Sequence, residues 1–325
     1  MKRTLNSIFV KKLRTRIPKD VQLVPYLMDI LDMTKESVYR RVRSQIPFTF
    51  EEISRISIEL GISIDEIIGN NENQRVFFDI KSCEENKAIE ILGETMQNTL
   101  DIIQHVRNAE HSKVIFAGNR FPIYTSIPFE NLIKFRIFRW IHQVEDVPLN
   151  FYLSDFKVPQ NILTLQKKFV YEYQRIKKQE MIVDNNTLHS SIKDINYFYK
   201  RELINNEELE IIQNELYQLV DHLEMLTKKG VNKVGSEVLI YVSTLNIEVN
   251  SLYYESNNQS YSQLWSYFSS QVNITNMEAT RNHKYWLESL KKYATLITLS
   301  DEVQRSLYLN RQRRLIANID QDILL

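Results

Sequence analysis

Six of the first sixteen side chains are cationic: Lys2, Arg3, Lys11, Lys12, Arg14 and Arg16. No acid stands among them. Such a run could hold phosphate, because a chain can present one basic face to anions whatever its total charge. A solvated helix face is the other reading. A second cationic run, Arg305, Arg311, Arg313 and Arg314, lies beside Leu307, Leu309 and Leu315. It fits an anion site, or a helix with its apolar side buried. Six aromatics, Tyr253, Tyr254, Tyr261, Trp265, Tyr267 and Phe268, fall in one short stretch. They could line a small-ligand pocket or pack a sheet against helices.

Other chemistry is hard to assemble. His105, His111, His142, His189, His222 and His283 show no metal-like spacing with one another or with Cys83. Each reads as a surface or core histidine. No Gly-x-Ser-x-Gly elbow occurs. Gly230-Val231-Asn232-Lys233-Val234-Gly235-Ser236 lacks the Gly-Lys-Ser/Thr order of a phosphate loop and reads as a turn before a strand. The expectation is a binding protein with no catalytic residues, no metal and no cofactor.

The chain has 325 residues, with 43% apolar and 25% charged. That is enough apolar material for a buried core and enough length for two domains. Lys/Arg and Asp/Glu both number 41. Residues 1–69 nevertheless carry 12 basic against 9 acidic side chains, and the remainder 29 against 32. No apolar run approaches the ~20 residues needed to span a bilayer, and no apolar stretch follows the basic N-terminus as in a secretion signal. Cys83 is the only cysteine, so no intrachain disulfide forms. A cytoplasmic location is expected.

The elements that must position these groups are short at first. Leu5, Ile8, Phe9, Leu13 and Ile17 recur at helical spacing and stop at Pro18. Pro25 can open a second helix, burying Leu27, Ile30 and Leu31. Thr34 can cap a third through Arg43, with Val38 and Val42 inward. Pro47 breaks the chain. Thr49-Phe50-Glu51-Glu52 has the capping-box form and starts a helix with Phe50, Ile53, Ile56 and Leu60 on one face, ending at Gly61. Ser63-Ile64-Asp65-Glu66 repeats the box, and Gly69 ends that helix.

The polar run 70–74 reads as a linker. Beyond it Ile89, Leu92, Met96, Thr99, Ile103 and Val106 follow a heptad pattern. The pattern spans under three heptads. It suits either packing on the chain's own core or a helix that pairs two copies. Further on, 113–117 reads as a strand. Helices are expected at 129–142, 160–178, 188–203, 207–228, 277–299 and 300–319. Residues 237–254 read as one or two strands, with a hairpin near 244–246.

The run Leu31-Asp32-Met33-Thr34-Lys35-Glu36-Ser37-Val38-Tyr39-Arg40-Arg41-Val42-Arg43, followed by Thr49 to Ile68, resembles the lambda-repressor-like (Cro/repressor, XRE-type) helix-turn-helix family. The resemblance covers about one fifth of the chain. Asp32 stands where that family usually has glycine in the turn, and Met28 where it usually has a small residue. Pro25 is also unusual.

The resemblance implies an all-α five-helix bundle whose third helix enters the major groove of double-stranded DNA. Carried over by position, Lys35, Glu36, Ser37 and Arg40 become base contacts. Arg41 and Arg43 become phosphate contacts, and Tyr39 suits either role. Arg or Lys can donate to guanine, Glu can accept from cytosine, and Ser can do either. Lys11, Lys12, Arg14 and Thr34 are the expected phosphate grips.

The expectation is thus a helix-turn-helix domain over 1–69, a linker with a candidate dimerisation helix over 70–110, and a helix-dominated α+β regulatory or oligomerisation domain over 111–325. The protein would be a homodimeric, bacterial, sequence-specific transcription regulator, with a small-molecule effector in its C-terminal domain and no membrane partner. The alternatives are a DNA-targeted nuclease or modifying enzyme, and a protein-interaction module of a phage or toxin system.

Overall fold

The computed structural model describes residues 4–17, 22–60, 62, 64, 87–257, 259–265, 271–274 and 276–321. The chain divides into two compact units, Met1–Phe77 and Phe78–Leu325. The linker at 70–74, Ser63, Asp65 and Glu66 of the second capping box, Gly61, Gly69, Cys83, Tyr267 and Phe268 lie outside the described residues.

The first unit is helical: α1 (Leu5–Arg16), α2 (Leu23–Leu31), α3 (Lys35–Val42) and α4 (Phe50–Leu60). Each helix contributes apolar residues to one core. Leu13 of α1, Leu27 of α2, Val38 of α3 and Ile56 of α4 are all wholly buried in it. Each such side chain contributes about 2 kcal/mol relative to exposure, so this core is the main source of the unit's stability. Pro25 is the third residue of α2 rather than its first. It still falls in the turn whose N–H groups lack helical partners, so the ring is tolerated.

Asp32 ends α2 in the left-handed region, at φ 53° and ψ 52°, its N–H donating to Met28 O. The turn therefore forms without glycine, and Met28 is accommodated half-buried against the core.

Phe50 departs from the expected pattern. It is 75% exposed. The buried place beneath the entry to α4 is taken by Phe48, which meets Phe9 edge-on at 5.5 Å. Phe48 and Ile53 stand at the two staple positions around the N-cap and share one core. Phe50, at the first helical position, is left pointing outward.

The second unit is a mixed α+β structure with helix predominating. It holds α5 (Ala88–Arg107), β1 (Lys113–Gly118), α6 (Ile123–Ser126), α7 (Glu130–Val144), α8 (Gln160–Tyr173), β2 (Lys178–Asp184), α9 (His189–Lys200), α10 (Asn206–Lys229), β3 (Glu237–Ser243), β4 (Asn250–Glu255), β5 (Ser260–Trp265), β6 (Gln271–Ile274), α11 (Met277–Leu290), β7 (Ala294–Leu296) and α12 (Glu302–Ala317). The strands form one sheet in the order β6-β5-β4-β1-β2-β3-β7. β1, β2 and β3 are parallel, and every other pairing is antiparallel. Alternate side chains face opposite sides. Phe116, Val183, Ile240 and Leu252 face the layer containing α5, α7, α8, α9, α10 and α12. Ile115, Ala117, Ile182 and Tyr253 face Leu287 of α11.

Of the two readings of the heptad pattern, packing on the chain's own core is the one observed, and several other expectations are corrected. The heptad face of α5 is buried in the chain's own core, with Leu92, Met96, Thr99, Ile103 and Val106 all at most 5% exposed. It offers no seam for pairing two copies. Residues 237–254 give two strands but no hairpin. β3 pairs with β2, while β4 crosses to β1. Asp184, at the end of β2, anchors the crossing by accepting from Ile247 N at 3.3 Å.

The helix expected at 160–178 ends at Tyr173, and β2 follows. The helix expected at 277–299 ends at Leu290 and yields β7. Of the aromatic stretch, Tyr253 and Tyr254 are core residues on opposite faces of the sheet. No helix among the described residues is long and apolar enough to cross a membrane.

The left-handed turn at Asp32 gives a direct test. Asp32→Gly should leave the melting temperature unchanged or slightly higher. Asp32→Val should lower stability by about 1–2 kcal/mol, since a β-branched residue is disfavoured there. Thermal melts of the two variants check it.

Candidate nucleic-acid interface

α3 is fixed from both ends and from below. Val38 and Val42, four residues apart, sit in the core and set which side of the helix faces inward. Beside them lies Arg41. Its Nε donates to Glu52 Oε2 and its Nη2 to Glu52 Oε1, both at 2.7 Å. Nη1 donates to Ser37 O at 3.2 Å.

The same carboxylate accepts the N–H of Thr49 at 3.0 Å, while Thr49 Oγ1 accepts the N–H of Glu52 at 3.2 Å. The expected capping box at Thr49 is therefore present, and Glu52 also clamps α3 to α4. Burial would raise the Glu52 carboxyl, but the hydrogen bonds from Arg41 and Thr49 outweigh it and hold the group below its ordinary value. The Arg41 guanidinium is raised by its bond to Glu52.

Asn6 of α1 completes the frame. Its Oδ1 accepts the N–H of Phe48 at 2.9 Å, and its Nδ2 donates to Ser44 Oγ at 2.9 Å. The connection between α3 and α4 is thus tied to α1.

This frame leaves one face of α3 outward. Lys35, Glu36, Arg40 and Arg43 are exposed, and Tyr39 is half-buried. Lys35, Tyr39 and Arg43 form one stripe at four-residue spacing. The Lys35 ammonium lies 6.0 Å and the Arg43 guanidinium 5.3 Å from the Tyr39 ring centre. Attraction to the ring face orders two cations on that stripe. Glu36 and Arg40 make a neighbouring stripe.

Thr34 occupies the N-cap with extended backbone, as expected, but its hydroxyl donates to Ser37 Oγ at 3.1 Å rather than capping an amide. The first-turn N–H groups of α3 are therefore not covered by its own side chain, an arrangement suited to a phosphate oxygen. On α1, Lys11 and Arg14 are exposed and Lys12 is half-buried.

Arg41 differs from the other expected site residues. Both bonds of its guanidinium fork go to a carboxylate inside the fold, with the side chain only 15% exposed. It shapes the interface rather than facing outward from it. Glu52 and Asn6 escaped sequence reading as parts of this site. Glu52 was visible only as a capping residue, and nothing in the spacing joins it to Arg41.

The C-terminal cationic run is engaged within the second unit. Arg313 pairs with Asp221 and Glu224, Arg311 donates to Asn186, and Arg305 to Ile297 O and Ser300 O. Arg314 is exposed.

Because the Glu52 carboxyl is depressed in the fold, its stabilisation is complete above the ordinary carboxylate range of about 4. It is lost as pH falls through the lowered value. Glu52→Gln should remove that acid-dependent loss. Arg41→Ala, which leaves a buried carboxylate unpaired, should destabilise the α3–α4 junction by about 3 kcal/mol. Amide hydrogen exchange across residues 35–60, followed against pH, measures both effects.

Residues 5–112 match the family model described as the BetR domain. The match takes in α1 to α4 and extends through α5 to the start of β1, about one third of the chain. It supports a regulatory role for this region. No curated protein and no solved structure shows significant similarity to the chain.

Proposed function

We propose that the chain is a sequence-specific DNA-binding transcription regulator of the lambda-repressor-like helix-turn-helix type. It acts in the cytoplasm by binding rather than by catalysis. The observation that carries this reading is the outward face of α3. Lys35, Glu36, Tyr39, Arg40 and Arg43 share it, on a helix whose opposite side is locked by Val38, Val42 and the Arg41–Glu52 pair. The turn at Asp32 joins α2 to this helix as a helix-turn-helix requires. The BetR-domain match over 5–112 independently favours regulation.

In this reading Lys35, Glu36, Ser37 and Arg40 meet base edges, because they lie at and near the N-terminal end of the recognition helix. Arg43, Lys11, Lys12, Arg14 and Thr34 hold phosphates, and Tyr39 supports the two cations beside it. Arg41 holds the helix in place. A homodimer would read two half-sites about 34 Å apart, so its sites would be near-palindromic. The second unit supplies dimerisation and signal sensing.

Binding of the full chain to its selected duplex, titrated with salt, tests the reading. Arg40→Ala should weaken binding by about 1–3 kcal/mol and relax preference at one base position. Arg43→Ala should weaken binding to all sequences alike and reduce the salt slope by about one. Unchanged affinity and slope in a Lys35, Arg40 and Arg43 triple alanine variant would overturn it.

A further inference from the structure

The second unit encloses a cavity of about 330 Å³ at the carboxyl end of β1. This is the size of a modest small-molecule site. It lies where the sheet changes character: β1 is the last parallel strand, and β4 beside it runs antiparallel. Ligands of α/β sheets gather at the carboxyl ends of strands where the topology switches.

The walls have two kinds of surface. One part is apolar and aromatic, with Met96, Phe116, Phe121, Phe169, Leu252 and Trp265. The other part is cationic. Arg120, Arg136 and Arg139 all line the cavity, and among the described lining residues there is no Asp or Glu. The nearby carboxylate of Asp194 accepts from Arg120 at 2.8 Å and Arg139 at 2.7 Å through the same oxygen, Oδ2. Arg136 donates from Nη1 to Phe121 O at 2.9 Å and Ser126 Oγ at 3.0 Å.

Three guanidiniums thus line one cavity, two of them sharing the Asp194 carboxylate. Burial first, then repulsion from Arg139 and Arg120, lowers the Arg136 guanidinium to about 9. Desolvated like charges held together are unfavourable unless an anion offsets them. Beside the end of β1, Asn250 Oδ1 is buried and has no hydrogen-bond partner. The backbone is shaped to admit it. A Cβ on Gly118 would lie 2.1 Å from that oxygen.

We propose that this cavity binds a small organic anion, with a carboxylate or phosphate head on the three arginines and a flat apolar body against Phe116, Phe169 and Trp265. Calling the occupant an effector rests on the regulatory reading above; the binding itself does not. Leu92, Thr95, Met96 and Thr99 of α5 also line the cavity. An occupant therefore touches the helix that ends the BetR-matching region.

Benzoate and phenyl phosphate serve as probes on the full chain without DNA. Benzamide is the neutral counterpart, and inorganic phosphate tests the head alone. At millimolar concentration at least one of the two organic anions should raise the melting temperature by several degrees, and benzamide should not. Binding should also change tryptophan fluorescence in a way that Trp265→Phe removes. The anion that acts, carboxylate or phosphate, identifies the head group.

Arg120→Gln should raise Kd at least tenfold. Gln143→Glu, at an exposed lining residue whose change leaves folding intact, should raise it at least fivefold by repulsion. Equal effects of benzamide and benzoate, a Kd unaltered by Gln143→Glu, or no effect of either organic anion would overturn the proposal. None of these outcomes bears on whether α3 binds DNA.

Discussion

The carboxylate of Glu52 is the point on which the first unit turns. It caps its own helix through Thr49 N–H and receives both arms of Arg41 from the preceding helix. Neither job alone would fix the orientation of α3. Apolar burial of Val38 and Val42 decides which side of α3 faces the core, but apolar contact has no direction of its own. The two-armed ion pair adds that direction, because a guanidinium and a carboxylate meet well only when coplanar. What then faces outward is settled by subtraction: Lys35, Glu36, Tyr39, Arg40 and Arg43.

The second unit solves a different problem with similar means. Its central strands are buried on both faces, yet β2 carries Glu180 at 4% exposure. Lys113 from the neighbouring strand and Lys291 from beyond α11 neutralise it. On the other side of the sheet Arg120, Arg136 and Arg139 line one cavity, and Arg120 and Arg139 share the carboxylate of Asp194.

Much of the first unit was legible in sequence because its signals are local. The turn at Asp32, the box from Thr49 to Glu52 and the inward pair Val38 and Val42 each depend on residues within four positions. The pair Arg41–Glu52 was not legible, since it joins two helices across eleven residues through a turn. Arg41 accordingly looked like one more phosphate contact. In the second unit the helices were readable from their periodicity, but β2 was hidden by Lys178-Gln179-Glu180, polar residues in a buried strand. β3 and β4 looked like neighbours because they are adjacent in sequence, while the free edge of β1 decided where β4 goes. Arg136 and Arg139 stand three apart on α7. Their convergence with Arg120 depends on how α7 lies against the end of β1, which no local pattern encodes.

The central claim is that the outward face of α3 reads DNA sequence. Selection of bound duplexes from a randomised pool by the full chain tests it most directly. The account predicts an enriched, near-palindromic motif whose preference at one position per half-site relaxes in Arg40→Ala. A pool that emerges without enrichment, at salt low enough for any basic protein to retain DNA, would contradict it.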